Sequence, residues 1–353
     1  MHTRHPAADR PFRVIEATAL TDRVWRVVLL SADETPFHYQ EGQFVGVHLP
    51  DGIRRCYSMA DPCSGDGRIA LNIRLVDTGH FSGWLTGGNR LGAELTVSGP
   101  FGDCVWQEQG ALQTPVLMLG TGTGIAPLKA MLERTLAGGE TRPITLYWGA
   151  QQEQDLYLAG HFHALARDHV NFRFVPTLAA APLTWRGRRG FVQTAAAEDH
   201  PDLRDATVYA CGSPLMVDDA RALLVGRNKL PPARFLADAF VPASQPPAET
   251  PAAATLNLRV SDADRQQRVL PVATGRSLMQ VLAGAGLLTG VCGGQAACGT
   301  CRVRISSPWR EQLAPPERKE ARLLHALDSL PGHRLACQIT VTNDLDGALV
   351  HCA

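Results

Sequence analysis

Cys292-Gly293-Gly294-Gln295-Ala296-Ala297-Cys298-Gly299-Thr300-Cys301 sets three thiols close together, and Cys337 adds a fourth 36 positions later. Such short spacings let a chain curl round an inorganic core, and glycine, alanine and threonine keep bulk away from what the thiols hold. Four converging thiolates are what two bridged irons require, and bare backbone N–H groups are free to bond to the sulfurs and tune them. Cys292, Cys298, Cys301 and Cys337 are therefore the candidate ligands of a [2Fe–2S] cluster. Zinc is the competing reading, but its sites favour paired C-x2-C knuckles, and Cys337 stands alone in the strand-like run RLACQITVT. Cys352 is a spare near the end of the chain.

Around this loop lie the runs of a small domain. LNLRVSD, RVLPVA, CRVRI, RLACQITVT and ALVHC read as strands, and SLMQVLAGAG and PERKEARLLHAL as helices. Their order suits a mixed sheet crossed by one main helix. Upstream, Pro242 to Ala254 is a Pro/Ala run without periodicity and reads as a semi-rigid linker over 243–254. The cysteine pattern resembles a [2Fe–2S] ferredoxin of the β-grasp type. Five residues separate the first two cysteines where the plant-type spacing has four, and this departure resembles the adrenodoxin-like branch.

The middle segment, 112–242, alternates strands with helices: PVLMLG, GIAPLKAMLERTLAGG, PITLYWGA, LYLAGHFHALARDH, NFRFVPTLA, ATVYACGSP and PLMVDDARALLVG. That alternation implies a parallel sheet covered on both faces. Gly120-Thr121-Gly122-Thr123-Gly124 joins the first strand to the first helix, where bare backbone and a helix N-terminus suit a diphosphate. It departs from G-x-G-x-x-G, since Ile125 or Pro127 falls at the third glycine. Cys211-Gly212-Ser213-Pro214 follows a later strand, and Phe240 closes the run FLADAF. His161 and His163 cannot share one helix face and read as surface residues.

The first segment, 10–108, is made of short strands punctuated by Gly, Pro and Asp, as in an antiparallel barrel. Its one helix candidate is HFSGWLTGG. Arg55-Cys56-Tyr57-Ser58 lies on a strand whose alternation puts Arg55 and Tyr57 on one face, with a guanidinium suited to phosphate and a ring suited to stacking. Gly79 to Leu85 follows, with Ser82 expected to open a short helix. Ser98-Gly99-Pro100-Phe101-Gly102 comes next.

Taken together, these motifs resemble the ferredoxin–NADP reductase superfamily. The resemblance implies that Arg55, Gly79 and Ser82 hold a flavin pyrophosphate. It puts Tyr57 and Ser58 at the isoalloxazine, and the main chain of Asn72, Ile73, Arg74 and Leu75 beside the adenine. Gly120 to Gly124 and Gly212 would take the nicotinamide nucleotide, with the Cys211 thiol beside its ring; Phe240 would cover the flavin. Ser58 and Cys211 are the candidate catalytic residues. The Ser82 helix favours FAD, although some relatives use FMN. Glu153, Asp155, Ala179 and Ala180 favour NADH, while Arg186, Arg188 and Arg189 keep NADPH open.

The implied chemistry is hydride transfer from the nucleotide to the flavin, which hands electrons singly to the cluster. The layout resembles reductase components of bacterial oxygenases, so a hydroxylase or oxygenase component is the expected partner. A reductase of a small molecule or sugar intermediate would use the same domains, and a cluster-based sensor is the third reading. The bulk numbers agree with a globular protein: 353 residues, 45% hydrophobic, 19% charged and a formal net charge of +0. Nothing in that balance points to nucleic acid, and no apolar run is long enough to span a bilayer. Nine cysteines with one dense cluster lead us to expect a reducing, cytoplasmic setting without disulfides.

Overall fold

A computed structural model of the chain describes residues 9–352, apart from 34, 50–52, 78, 109–113, 241–254, 263–265, 289, 291, 293 and 295. The expected linker over 243–254 lies outside the described residues. The chain divides into two compact units after Val241.

The first unit opens with six strands, β1 (Arg10–Ala19), β2 (Val24–Ser31), β3 (Phe44–His48), β4 (Arg54–Ser58), β5 (Arg68–Arg74) and β6 (Glu94–Phe101), with helix α1 (His80–Thr86) between the last two. All pair antiparallel in the order β4-β3-β6-β1-β2-β5. Beyond β4 the chain returns to β5 through a Met59↔Leu71 bridge and a 2.8 Å hydrogen bond from Ala60 N to Ala70 O. The two edges of the sheet therefore meet and the barrel closes. Alternate residues of each strand point inward, so Phe12, Val14, Val27, Leu29, Val45, Val47, Leu71 and Ile73 fill the interior.

The second half of this unit is β7 (Val116–Thr121), α2 (Ile125–Ala137), β8 (Ile144–Ala150), α3 (Ala159–Asp168), β9 (Phe172–Leu178), β10 (Arg188–Arg189), α4 (Val192–Asp199), β11 (Thr207–Gly212), α5 (Pro214–Gly226) and β12 (Phe235–Ala239). Every strand pair is parallel, in the order β10-β9-β8-β7-β11-β12. Alternation sends Met118, Leu146 and Trp148 to one face, against Leu128, Met131 and Phe162. Leu117, Leu119 and Tyr147 go to the other, against Val192, Ala196 and Val217. Both faces are buried, which is why these strands are near-continuous apolar runs. Three elements were not expected from sequence: α4, β10 and β12.

The second unit contains β13 (Thr255–Ser261), β14 (Gln267–Ala273), α6 (Leu278–Gly284), β15 (Arg302–Ile305), α7 (Trp309–Gln312), α8 (Arg318–Ala326), β16 (His333–Leu335) and β17 (Leu349–Cys352). Its sheet runs β14-β13-β17-β15-β16, parallel only between β13 and β17. The mixed sheet matches the expected β-grasp layout. Ser277 and Gln280 form a capping box at the start of α6, each side chain serving the other's backbone N–H. One expected element is corrected. RLACQITVT is not a continuous strand: β16 stops at Leu335, and Ala336–Gln338 form a 3-10 turn around Cys337. The residues after it pair elsewhere, with Leu278 N donating to Ile339 O and Val341 N to Arg276 O, both at 2.8 Å.

Candidate functional site

The four clustered cysteines come together as two pairs. Cys298 meets Cys292 and Cys301 meets Cys337 side chain to side chain. Charge on Cys292 also reaches Cys337, and charge on Cys298 reaches Cys301. The Cys292 partner and then burial push the Cys298 thiol up; Cys337 and then burial do the same to Cys301. Among the described residues no three acid, histidine or cysteine side chains gather as on a single ion. Two pairs of sulfurs are the donor set of a two-iron centre, whose positive charge lets crowded thiolates coexist.

Cys337 is lowered: it accepts from Cys301, and then, against burial, from the Gln338 side chain and the Ala296 backbone. Gln338 Nε2 donates to Cys337 Sγ at 3.3 Å and to Gly294 O at 2.9 Å. Thr300 Oγ1 lies 3.1 Å from Cys298 Sγ. Sequence reasoning anticipated backbone donors; the Gln338 amide was not foreseen, because its reach depends on the turn at Cys337. Gly299 has φ +71°, and a Cβ there would stand 2.2 Å from Leu327 Cδ1, so the residue is tied to packing against the chain after α8 as well as to the loop.

In the barrel, Tyr57 packs its ring edge-on against Phe81 of α1 at 5.1 Å between centroids. Burial raises its phenol above the usual range. Arg55 donates to Arg54 O at 2.8 Å, and Ser58 is buried. Ser82 is corrected: Gly79, not Ser82, precedes the first residue of α1. Ser82 sits inside the helix and accepts from Val76 N at 2.8 Å, because a buried hydroxyl needs a partner. A side chain on Gly79 would fill this turn, meeting Ser82 Oγ at 3.0 Å and Val76 O at 3.1 Å. Asn72 is buried with Nδ2 3.4 Å from Tyr157 Oη, and its Oδ1 has no hydrogen-bond partner. Ile73 is interior, Arg74 is exposed, and Leu75 gives its N–H to Arg23 O. β5 has one strand neighbour, and its other edge carries the Met59 bridge and the Ala60 N to Ala70 O bond. An orphaned buried amide oxygen suits a polar ring system such as a flavin's.

The glycine turn of the α/β half is built against a second turn. A Cβ on Gly124 would stand 2.2 Å from Cys211 O, and one on Gly212 (φ +129°) would meet Thr121 Oγ1 at 2.4 Å. Close approach of the β7 and β11 turns, and not only room for a diphosphate, requires these two glycines. Ser213 N donates to Thr121 Oγ1 at 3.0 Å, and Trp148 Nε1 to Gly122 O at 3.1 Å. Gly122 itself faces open space, as a nucleotide-binding backbone must, with Thr121 and Thr123 beside it; Gly120 is buried at the end of β7, where a Cβ would meet Leu128 Cδ1 at 3.1 Å.

Cys211 is fully buried. Its thiol shares a hydrogen bond with that of Cys104, and that contact followed by burial pushes it well up. The structure thus packs into the core a thiol that the sequence reading put beside a ring. Phe240 is half-buried and donates its N–H to Gly212 O at 2.7 Å. Arg188 pairs with Glu198 at 2.6 Å and Asp199 at 3.2 Å. Arg189 serves the carbonyls of Ala181, Pro182, Leu183 and Trp185. His161 and His163 do not converge: His161 Nε2 lies 2.7 Å from Glu133 Oε1, and His163 packs on Phe174.

Comparison with known proteins agrees with this geometry. Residues 11–106 match the oxidoreductase FAD-binding domain family, 118–222 the oxidoreductase NAD-binding domain family, and 261–342 the 2Fe-2S iron-sulfur cluster binding domain family. The reductase subunit of an aromatic O-demethylase from Amycolatopsis sp. is 34% identical over 247 residues, 68% of this chain and 72% of that one. A CDP-6-deoxy-L-threo-D-glycero-4-hexulose-3-dehydrase reductase from Yersinia pestis is 35% identical over 204 residues, 58% of this chain and 60% of that one. The solved structure of an Amycolatopsis cytochrome P450 reductase superposes with TM-score 0.63 at 33% identity, covering 69% of this chain and 73% of that one. The chain belongs to the ferredoxin–NADP reductase superfamily, in the form that carries a C-terminal [2Fe–2S] ferredoxin domain. It is accordingly an NAD(P)H-dependent oxidoreductase that uses FAD, NADH and a [2Fe–2S] cluster. Among the described residues no helix is long and apolar enough to cross a membrane.

Proposed function

We propose that this protein is the reductase component of a multicomponent oxygenase or hydroxylase system, passing electrons from NADH through FAD and the [2Fe–2S] cluster to a partner protein in the cytoplasm. The observation that carries this reading is the meeting of Cys292 with Cys298 and of Cys301 with Cys337 in the chain that also bears the barrel and the glycine turn. The relatives' names support the partner class, the Amycolatopsis protein being the reductase subunit of an aromatic O-demethylase. We assign residues 10–108 to flavin binding, 112–242 to nucleotide binding, 243–254 to a linker and 255–353 to the ferredoxin.

When bound, the flavin accepts two electrons as hydride and the cluster exchanges them one at a time. The chain's own residues orient these groups. Arg55, Gly79 and Ser82 would border the flavin pyrophosphate, Tyr57 and Ser58 its ring, and the outer edge of β5 from Asn72 to Leu75 its adenine side. Gly120 to Gly124 and Gly212 would carry the nucleotide, with Phe240 closing over the flavin. Cys211 would act from behind, shaping the β11 turn. Engagement of Arg188 and Arg189 leaves fewer cations for a 2′-phosphate and favours NADH. The Yersinia relative supports a second reading, in which the acceptor is a sugar-intermediate enzyme system.

Anaerobic titration with NADH, followed in the visible spectrum, tests the electron path. Bleaching of flavin and cluster together is expected; bleaching of flavin alone would refute the path to the cluster. Turnover with candidate oxygenase components then separates the two partner classes.

A further inference from the structure

Between the barrel and the α/β half, a line of charged side chains joins the flavin strand to the nucleotide helix. Lys129, on the first turns of α2, has an ammonium with three protons and three acceptors. These are Glu133 Oε2 at 2.8 Å, Asp61 Oδ1 at 3.0 Å and Ala60 O at 3.3 Å. Its side chain is 13% exposed. Asp61 is clamped from the barrel side: Arg26 donates Nη1 to Oδ1 at 3.1 Å and Nη2 to Oδ2 at 2.5 Å, and Tyr39 Oη donates to Asp61 O at 2.9 Å. Glu133 Oε1 also lies 2.7 Å from His161 Nε2 of α3. Arg26 also reaches Glu16 of β1 at 3.6 Å. The line Glu16–Arg26–Asp61–Lys129–Glu133 therefore runs from the barrel wall into α2.

The two ends of the Asp61–Lys129 contact lie where the chemistry is. Asp61 is three residues past Ser58, on the chain leaving β4, and Lys129 is five residues past Gly124, one turn into α2. One turn of helix is about 5.4 Å. A further side-chain hydrogen bond between the faces, from Asn72 to Tyr157, is neutral and long at 3.4 Å. Partly buried charges are also screened less than exposed ones.

We propose that Lys129 is a positioning residue for hydride transfer. By joining the carboxylate beyond the flavin strand to the helix behind the nucleotide turn, it holds the two cofactor sites in register. The inference rests on the flavin and nucleotide assignments above. Hydride transfer is steep in donor–acceptor placement, and a displacement of about 1 Å can cost on the order of a hundredfold in rate.

The test uses the full-length holoprotein with Lys129→Met, which keeps the aliphatic stem and removes the charge, and Lys129→Arg as the conservative control. Stopped-flow flavin reduction by saturating NADH should slow about ten- to a hundredfold in Lys129→Met. The dissociation constant for NADH should change by less than about threefold, and the deuterium isotope effect on turnover from C4-labelled NADH should rise. Lys129→Arg should recover most of the rate. FAD content and melting temperature show whether Lys129→Met is folded; if it is not, Asp61→Asn, which keeps shape and loses the charge, carries the same expectations. Flavin reduction at the wild-type rate with an unchanged isotope effect in the folded variant would overturn the proposal. Failure of the wild-type protein to be reduced by NADH would instead overturn the functional reading beneath it.

Discussion

Glu320 and Arg334 offer the sharpest test of how the ferredoxin unit is held. Glu320 on α8 is 1% exposed and Arg334 on β16 is 9% exposed. The guanidinium grips the carboxylate as a fork, Nε to Oε1 at 2.8 Å and Nη2 to Oε2 at 3.0 Å. Leu335 N adds 2.7 Å to Oε1, and Arg334 Nη1 reaches Ala314 O at 2.8 Å. Arg334 is three residues before Cys337, so this pair sets where the strand ends and the ligand turn begins. Replacing one partner leaves a buried charge uncompensated, at a cost of about 3–5 kcal/mol. In a domain of this size 1 kcal/mol lowers the melting temperature by roughly 4–8 °C, so Glu320→Gln should lose at least about 12 °C. Melting is read from the visible circular dichroism of the reconstituted cluster. The Glu320→Met, Arg334→Met double variant should recover much of the loss, because both charges leave together. A single variant that loses under about 4 °C, or a double variant worse than the sum of the singles, would show that the buried pair does not hold the unit in this way.

Gln338→Leu removes an N–H donor to Cys337 that favours the more electron-rich state. At about 0.5–1.5 kcal/mol for one hydrogen bond and 59 mV per tenfold for one electron, the cluster's midpoint potential should fall by about 20–65 mV in an EPR-monitored titration; no change or a rise would count against it. Gly212→Ala should abolish soluble expression or lower the urea midpoint sharply, since its Cβ would stand 2.4 Å from Thr121 Oγ1 at a φ of +129°. Burial raises the Asp61 carboxyl, but Arg26 and Lys129 outweigh it and hold its pKa below the ordinary value. The stability this contributes is present above the unfolded pKa of about 3.9 and is lost as the pH falls through the lower folded value. The urea-midpoint gap between wild type and Asp61→Asn should therefore be constant at neutral pH and shrink below about pH 4.

Some of this architecture was legible in local pattern. β2 and α5 occupy the stretches their periodicity marks, Val24–Ser31 and Pro214–Gly226. A strand with one wet face alternates, and a helix ended by glycine or opened by proline carries its own punctuation. α4 was missed because VQTAAAED has little apolar period; its alanines become core only where the sheet brings β7 and β8 over them. β10 has two residues and no signal of its own. The run around Cys337 looks like a strand in isolation, and Ile339 and Val341 are buried as in one. Their hydrogen bonds, however, go to the α6 end of the unit.

The residues themselves determined which atoms are available: four thiols at spacings that can wrap two irons, a glycine turn between strand and helix, and an R-x-Y-S strand in a barrel. Chemical type and spacing along the chain are local properties, and sequence carries them directly. Tertiary structure alone decided which thiol meets which and that Cys211 faces inward to Cys104. It also decided that Ser82 serves Val76, that Gly124 and Gly212 make room for each other's loops, and that Lys129 lies against Asp61. Each of these joins residues brought together by the closing of a barrel, a helix or a sheet, and contacts across such closures leave no periodic trace in the chain.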